Sequence, residues 1–200
     1  LGRGHRLLEA VGALFVGLDR TWVYPIGVHD HRKPGDRGMV IRGLDQGIWV
    51  NQRGERFHDE SVQDGAAGTA ALLEQEPSTC WAIFDESALA DIAFAHPDFR
   101  GEGHALQEQV VRFLGESPHF HRADTLEQLA QAAGLPADRL AVGVAELNSA
   151  IRAGAERDSR FGRPLAGVRP VDEPVCALRL YPIARKALGG VRTDLGCRVL

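Results

Sequence analysis

The spacing of apolar residues changes along the chain. In the first half they form short aromatic and β-branched runs, at 15–27 and 81–85, which predict extended segments. In the second half they recur with helical spacing. The sets that define two helices are Leu106, Val110 and Phe113, and Leu140, Val144, Leu147 and Ile151. Strands followed by helices and then by further strands predict an α+β fold.

Local signals define further elements. Asp124 or Thr125 is expected to cap a helix that Gly134 ends, because a short oxygen side chain satisfies the first free N–H groups and glycine accepts the left-handed conformation. The stretch Gly65 to Glu74 is rich in alanine and favours another helix. A short helix is also expected before Gly12.

A hairpin is predicted near residue 50, with a strand at 47–51, a turn at 52–54 and a returning strand at 55–57. Near the end of the chain, strands at 176–181 and 191–193 are expected to flank a turn at Gly189 and Gly190.

Composition narrows the function classes. The 200 residues carry a net charge of −4, which argues against a nucleic-acid-binding protein because such proteins usually present a basic face. No apolar run has the length needed to cross a membrane. Cys80, Cys176 and Cys197 form no paired motif, so neither a zinc site nor a disulfide framework is expected. A reducing, cytoplasmic location is therefore predicted.

Three stretches resemble the flavoprotein family of fumarate reductases, succinate dehydrogenases and 3-ketosteroid dehydrogenases. Residues 47–60 read GIWVNQRGERFHDE, similar to the family's G-I-x-V-N-x-x-G-x-R-F-x-x-E. The second stretch has two parts: residues 123–130 read ADTLEQLA, similar to A-D-T-L-E-E-L-A, and residues 158–164 read DSRFGRP, similar to D-x-x-F-G-R-P. Residues 189–194 read GGVRTD and resemble the family's T-x-G-G-x-x-x-D turn. Their order and spacing match over nearly the whole chain.

The resemblance implies a division of the chain by role. Residues 1–43 would be a remnant of the FAD-binding domain, residues 44–180 the substrate-side capping domain with short strands and a helical cluster, and residues 181–200 the return to the FAD-binding domain. The family's Gly-rich phosphate turn and its second flavin-binding stretch would lie outside the chain. We therefore expect a fragment of a longer FAD enzyme, which by itself is inactive and binds no FAD.

The resemblance also identifies candidate site residues. Arg185 and Lys186 precede the glycine turn, where the family contacts substrate, and are the candidate catalytic residues; two cations there could hold a substrate carboxylate. Gly189 and Gly190 are the candidate cofactor-binding residues, because a backbone without Cβ atoms can approach a ligand closely. Arg42 is the candidate substrate-binding residue. A solvated basic turn, a plain tight turn and a structural arginine are the corresponding alternatives.

Several departures argue against fumarate as the substrate. The family's arginine proton donor corresponds to Asp64, whose charge is reversed, and the glutamate of its proton relay corresponds to Met39. Lys186 and Ala187 replace the usual histidine and threonine. A small, carboxylated substrate is still expected.

Other readings of the sequence remain. The alternative function is a non-enzymatic module that binds a small acid or a protein, and exposed apolar chain ends could form a homodimer. The segment His29 to His31 is expected to be a loop without metal, and His119 and His121 are expected in a surface loop.

Overall fold

The computed structural model describes residues 2–35, 37–62 and 66–200. The backbone divides into two compact units. The terminal unit consists of Leu1–Val23 and Ala184–Leu200, and the central unit is Tyr24–Ile183. The division by role at 43/44 and 180/181 stays a prediction, because compactness does not test which part serves the cofactor.

Within the described residues the chain forms five α-helices, nine strands and one 3₁₀ helix. In chain order they are α1 (Arg3–Ala10), β1 (Phe15–Val16), β2 (Thr21–His29), β3 (Gly38–Arg42), β4 (Ile48–Val50), α2 (Ala66–Leu73), β5 (Cys80–Asp85), the 3₁₀ helix (Glu86–Asp91), β6 (Ala93–Phe94), α3 (His104–Gly115), β7 (Phe120–Ala123), α4 (Leu126–Ala133), α5 (Ala137–Arg152), β8 (Val175–Ala187) and β9 (Gly190–Val191).

A sheet of these strands organises the central unit, and β2–β3, β3–β6, β4–β5, β5–β8 and β7–β8 pair antiparallel. Its order is β4-β5-β8-β2-β3-β6, and β7 also pairs with β8. Residues 175–178 of β8 pair with β5 on one edge and with β7 on the other. Since β2 also lies on the side of β8 away from β5, β2 and β7 follow one another along the same edge of β8.

Helices cover both faces of this sheet. On one face α3 contributes Val110 and Phe113 to a core with Phe84 and Leu178. On the other face α4 and α5 bury their apolar stripes, as the helical spacing predicts. Alternate residues of β5 and β8 belong to the two cores, because successive side chains of a strand point to opposite faces. The predicted mixture of helix and sheet is confirmed.

The helix ends follow their predicted signals. The Thr125 hydroxyl accepts a hydrogen bond from the backbone N–H of Gln128 at 3.3 Å, and Gly134 ends α4 with φ +66°. Pro136 occupies the N-cap of α5. Within the described residues, no helix combines the length and the apolar character that crossing a membrane requires.

The predicted hairpin is wrong in its second half. The Asn51 side-chain oxygen accepts backbone hydrogen bonds from Arg53 and Glu55, at 3.0 and 3.1 Å, and so closes the turn on itself. The returning chain makes one bridge, between Val50 and Arg56, and forms no strand. Arg56 then turns into the protein interior instead of continuing a ladder.

The predicted surface loop at His119 and His121 is also wrong. Residues 120–123 are β7, because the edge of β8 beyond the end of β2 has free backbone groups to pair with them. Both imidazoles are consequently half-buried.

Four buried charged side chains connect distant parts of the central unit. The guanidinium of Arg56 donates twice to the Glu60 carboxylate, at 2.8 Å each, and once to Asp158 at 2.7 Å. Arg163 donates to Glu60 at 3.0 Å and to the carbonyl oxygens of Gly47 and Asp45. The side chains of Arg56, Glu60 and Arg163 are 0% exposed, so solvent screens none of these contacts.

The ionisation of Asp158 depends on this network. Burial raises the pKa of its carboxyl group, but hydrogen bonds from the Arg160 backbone and from Arg56 outweigh burial and leave the pKa below its usual value of 3.8. A group with a lowered folded pKa stabilises the protein above its unfolded pKa. This contribution is therefore complete above pH 3.8 and is lost as the pH falls from there through the folded pKa.

We predict that Glu60→Gln destabilises the protein by about 3–5 kcal/mol, because it leaves two buried guanidinium groups without their shared carboxylate. The control is Asp172→Asn, which breaks an ion pair with Arg152 whose partners are 59% and 61% exposed and should cost less than about 1 kcal/mol. Urea unfolding measures both free energies. If the two variants lost equal free energy of unfolding, the buried network would stabilise the protein no more than an exposed ion pair does, which would contradict this prediction.

Candidate active site

The two candidate cations end the long strand β8. Arg185 and Lys186 are both exposed in the terminal unit. The Lys186 ammonium group lies 5.9 Å from the centroid of the Trp22 ring, within the range of a cation–π contact. Trp22 is itself 44% exposed. The end of β8 therefore presents two cations and an aromatic face to solvent.

The backbone of Gly17 leaves no room for a side chain at position 189. A Cβ atom at this position would lie 2.1 Å from the carbonyl carbon and oxygen of Gly17, which is closer than real atoms approach. The backbone N–H of Leu188 also donates to the Arg20 carbonyl at 2.9 Å, so the two turns pack backbone against backbone. This packing explains Gly189 without a cofactor.

Gly190 has a different environment. It begins β9 and lies opposite Val16 in a two-stranded pairing. A Cβ atom there would meet no described atom within 4 Å. The structure leaves room on this side of the turn, so the position can accept the close approach of a ligand.

Arg42 belongs to the central unit and ends β3 opposite Ala93. Its side chain is exposed, and no ion pair or hydrogen bond holds it within the described residues. The chain then turns at Gly43, with φ +81° and no space for a Cβ atom beside the Asp91 carbonyl. Met39 is 2% exposed in the apolar core, where it can carry no proton. Asp64 lies outside the described residues.

In the described part of the chain, no group of three potential metal ligands converges, at His29 to His31 or elsewhere. Asp30 is engaged by Arg32, whose Nε donates to it at 2.8 Å. This contact, together with the opposing effect of burial, leaves the pKa of Asp30 below its usual value.

A cluster that the sequence analysis missed lies where β2 and β7 meet along β8. We call it the Arg179 cluster; its members are Arg179, Trp81, Tyr181, His119 and His29. The Arg179 guanidinium lies 5.7 Å from the Trp81 ring centroid and 5.6 Å from that of Tyr181. The His119 ring is 5.6 Å from Tyr181 and 5.7 Å from His29, both edge to face.

The cluster is assembled by strand register. Trp81 is the direct partner of Arg179 in the pairing of β5 with β8. The backbone N–H of Arg179 donates to the backbone carbonyl of His119 at 2.9 Å. The spacing of Arg179 and Tyr181 by two residues on a strand was the one available signal, since it places both on one face. Nothing local indicated that two histidines would join them.

Burial, followed by the positive charges of His29 and Arg179, holds the pKa of His119 below its usual value. Burial raises the pKa of the Tyr181 hydroxyl, and Arg179 opposes that change. The cluster therefore contains one permanent cation, and its surroundings disfavour the charged forms of His119 and Tyr181.

The sequence alignments with curated relatives extend over the whole chain. NADH:acrylate oxidoreductase from Vibrio harveyi is 26% identical over 100% of this chain, which corresponds to 18% of that protein. A probable fumarate reductase, Ifc3, from Shewanella frigidimarina is also 26% identical over 100% of this chain, and 30% of its own length is matched. The chain thus spans less than a third of these two relatives.

Solved structures show the same fold. A flavocytochrome c3 fumarate reductase in an open conformation superimposes with a TM-score of 0.69 at 23% identity, over 99% of this chain and 32% of that one. A 3-ketosteroid Δ1-dehydrogenase from Sterolibacterium denitrificans gives a TM-score of 0.66 at 22% identity, over 100% of this chain and 38% of that one.

The resemblance derived from the three sequence stretches is confirmed by these relatives, which include fumarate reductases and 3-oxosteroid dehydrogenases. Residues 1–200 match the family described as FAD binding domain. The chain belongs to this FAD-binding family of flavoprotein oxidoreductases.

Proposed function

We propose that this chain is the substrate-side part of an FAD-dependent dehydrogenase or reductase that acts on a small carboxylated molecule. The observation that supports this function most directly is the pair of exposed cations, Arg185 and Lys186, just before the open glycine position in a chain of this family. In this proposal residues 44–180 cap the substrate, while residues 1–43 and 181–200 belong to the FAD-binding part.

The bound flavin would supply hydride transfer, and the protein's contribution would be to position and polarise the substrate. Gly190 would face the cofactor, because its side of the turn is open. Arg185 and Lys186 would hold the carboxylate, with arginine able to donate two parallel hydrogen bonds. Arg42 stays a candidate substrate-binding residue, since its exposed guanidinium has no partner among the described residues.

Fumarate is not the proposed substrate. Met39 is buried in the core and cannot take the place of a relay glutamate, and Asp64 has the wrong charge to replace a proton-donating arginine. A non-enzymatic binding module is not favoured either, because the whole chain matches an FAD-binding family.

The terminal unit also exposes a set of large apolar side chains. They include Leu7, Val11, Leu14, Val16, Leu188 and Leu195. A homodimer through this surface stays a prediction, as does a cytoplasmic location.

The carboxylate assignment predicts a specific loss of charge recognition. In the flavoprotein that contains this chain, a substrate acid should be preferred over its primary amide. Replacing Arg185 and Lys186 together by glutamine should raise KM for the acid by about tenfold or more, as expected for lost charge-assisted hydrogen bonds. KM for the amide should change little. Steady-state assays on a panel of acids and enones measure both values.

Arg192→Gln is the matched control, because it removes one exposed charge just beyond β9 in the same unit. Its KM for the acid should equal that of the wild type. An acid preference that persists in the double variant would refute the role of the two cations.

The glycine pair gives a second test. Gly189→Ala should destabilise the terminal unit, because its Cβ atom would collide with the Gly17 backbone. Gly190→Ala should leave the thermal unfolding of the chain unchanged and weaken flavin binding in the complete flavoprotein, because the added methyl group would enter the space assigned to the cofactor. Flavin fluorescence titration measures the affinity. An unchanged affinity in Gly190→Ala would exclude a flavin contact at this position.

The 200-residue chain by itself should bind no FAD. In this architecture the affinity should come mainly from a pyrophosphate site at a helix N-terminus and from an adenosine groove. Contacts from one glycine turn do not offset the several kcal/mol of lost translational and rotational freedom. The purified chain should be colourless and should release no flavin on denaturation. A yellow preparation with stoichiometric flavin would contradict the proposed division by role.

A further inference from the structure

Arg179 differs from the other arginines that are withdrawn from solvent. Arg56 and Arg163 both meet carboxylates within hydrogen-bonding distance, and the partly exposed Arg32 meets Asp30 and Asp98. Arg179 is half-buried, yet it forms no ion pair within residues 2–35, 37–62 and 66–200. A guanidinium that loses water without gaining a counter-ion is unfavourable.

The hydrogen-bonding capacity of Arg179 is also largely unused. A guanidinium carries five N–H donors. In the described structure one of them reaches the hydroxyl of Thr79, at 3.2 Å, and the buried Nε has no acceptor. The guanidinium carbon lies over the faces of the Trp81 and Tyr181 rings, 5.7 and 5.6 Å from their centroids. These cation–π contacts are neither ion pairs nor hydrogen bonds to the guanidinium N–H groups.

The surroundings add donors and no negative charge. The Nδ1 atom of His29 is buried without a partner among the described residues. The Tyr181 hydroxyl lies 3.4 Å from Nδ1 of His119. The charged groups that act on His119 are His29 from β2, Arg179 from β8, His121 from β7 and His31 from the loop after β2, and each of them lowers its pKa. The local field is therefore positive.

We propose that the Arg179 cluster is a binding site for a small organic carboxylate. One planar anion would neutralise one planar cation through paired hydrogen bonds, and the imidazole and phenol groups would complete its coordination. A phosphate dianion would bring two negative charges, which the single guanidinium of the cluster does not balance. The site consists of central-unit residues alone, so it does not depend on the flavin or on Arg185 and Lys186.

Binding should be linked to pH. An anion beside His119 favours the imidazolium form and so raises its pKa from the lowered value that it has in the free protein. Proton uptake on binding makes the affinity rise as the pH falls toward and below about 6.5, the ordinary value for histidine.

The test is a benzoate titration of the chain, followed by NMR signals of its histidine rings. The His119 and His29 signals should shift in a saturable manner, while the exposed His104 stays unchanged. Affinity should be higher at pH 5.5 than at pH 7.5. Arg179→Gln should weaken binding by about tenfold or more. Arg122→Gln, which removes one exposed positive charge from β7, should bind like the wild type.

Several results would overturn the proposal. They are a non-saturable shift up to the solubility limit of benzoate, equal weakening in the Arg122 and Arg179 variants, or an affinity that does not change with pH. Tighter binding of inorganic phosphate than of benzoate would overturn the carboxylate assignment. If Arg179→Gln fails to fold, Arg179→Lys keeps the charge without the paired donors and should still weaken binding; unchanged binding there would reject the paired geometry.

Discussion

The shared carboxylate of Glu60 is the contact on which the central unit depends most. It receives two hydrogen bonds from Arg56 and one from Arg163, and it also accepts the backbone N–H of Trp49 at 3.2 Å. Through these four donors it joins the middle of β4, the turn after it and the segment before β8. Each of these pieces is short, and none presents the wide apolar stripe with which a helix attaches itself to a core.

Arginine suits this role better than lysine would. Its planar fork can serve a carboxylate and a backbone carbonyl in fixed directions at the same time, as Arg163 does with Glu60 and Gly47. The network therefore specifies where the segment 158–164 lies relative to β4. The desolvation of four charges consumes much of the attraction between them, so the gain lies in fixed geometry more than in net stability.

Local sequence signals were sufficient to predict much of the secondary structure but little of the candidate site. The cap at Thr125, the stop at Gly134 and the apolar period of α5 depend on residues within a few positions of each other, and the structure follows them. β7 depends on the free edge of β8, more than fifty residues away in the sequence. The Arg179 cluster likewise needs three strands in register, which no local pattern encodes.

The close approach of the Gly17 and Gly189 backbones changes how sequence variation at the glycine turn should be interpreted. Position 189 is restricted to glycine by the neighbouring backbone, whatever the protein binds. Its invariance among homologues would therefore carry no information about a cofactor. Position 190 is open within the chain, so any evolutionary restriction to glycine there must come from something outside these residues. Adjacent positions with the same residue would thus record two different selective pressures.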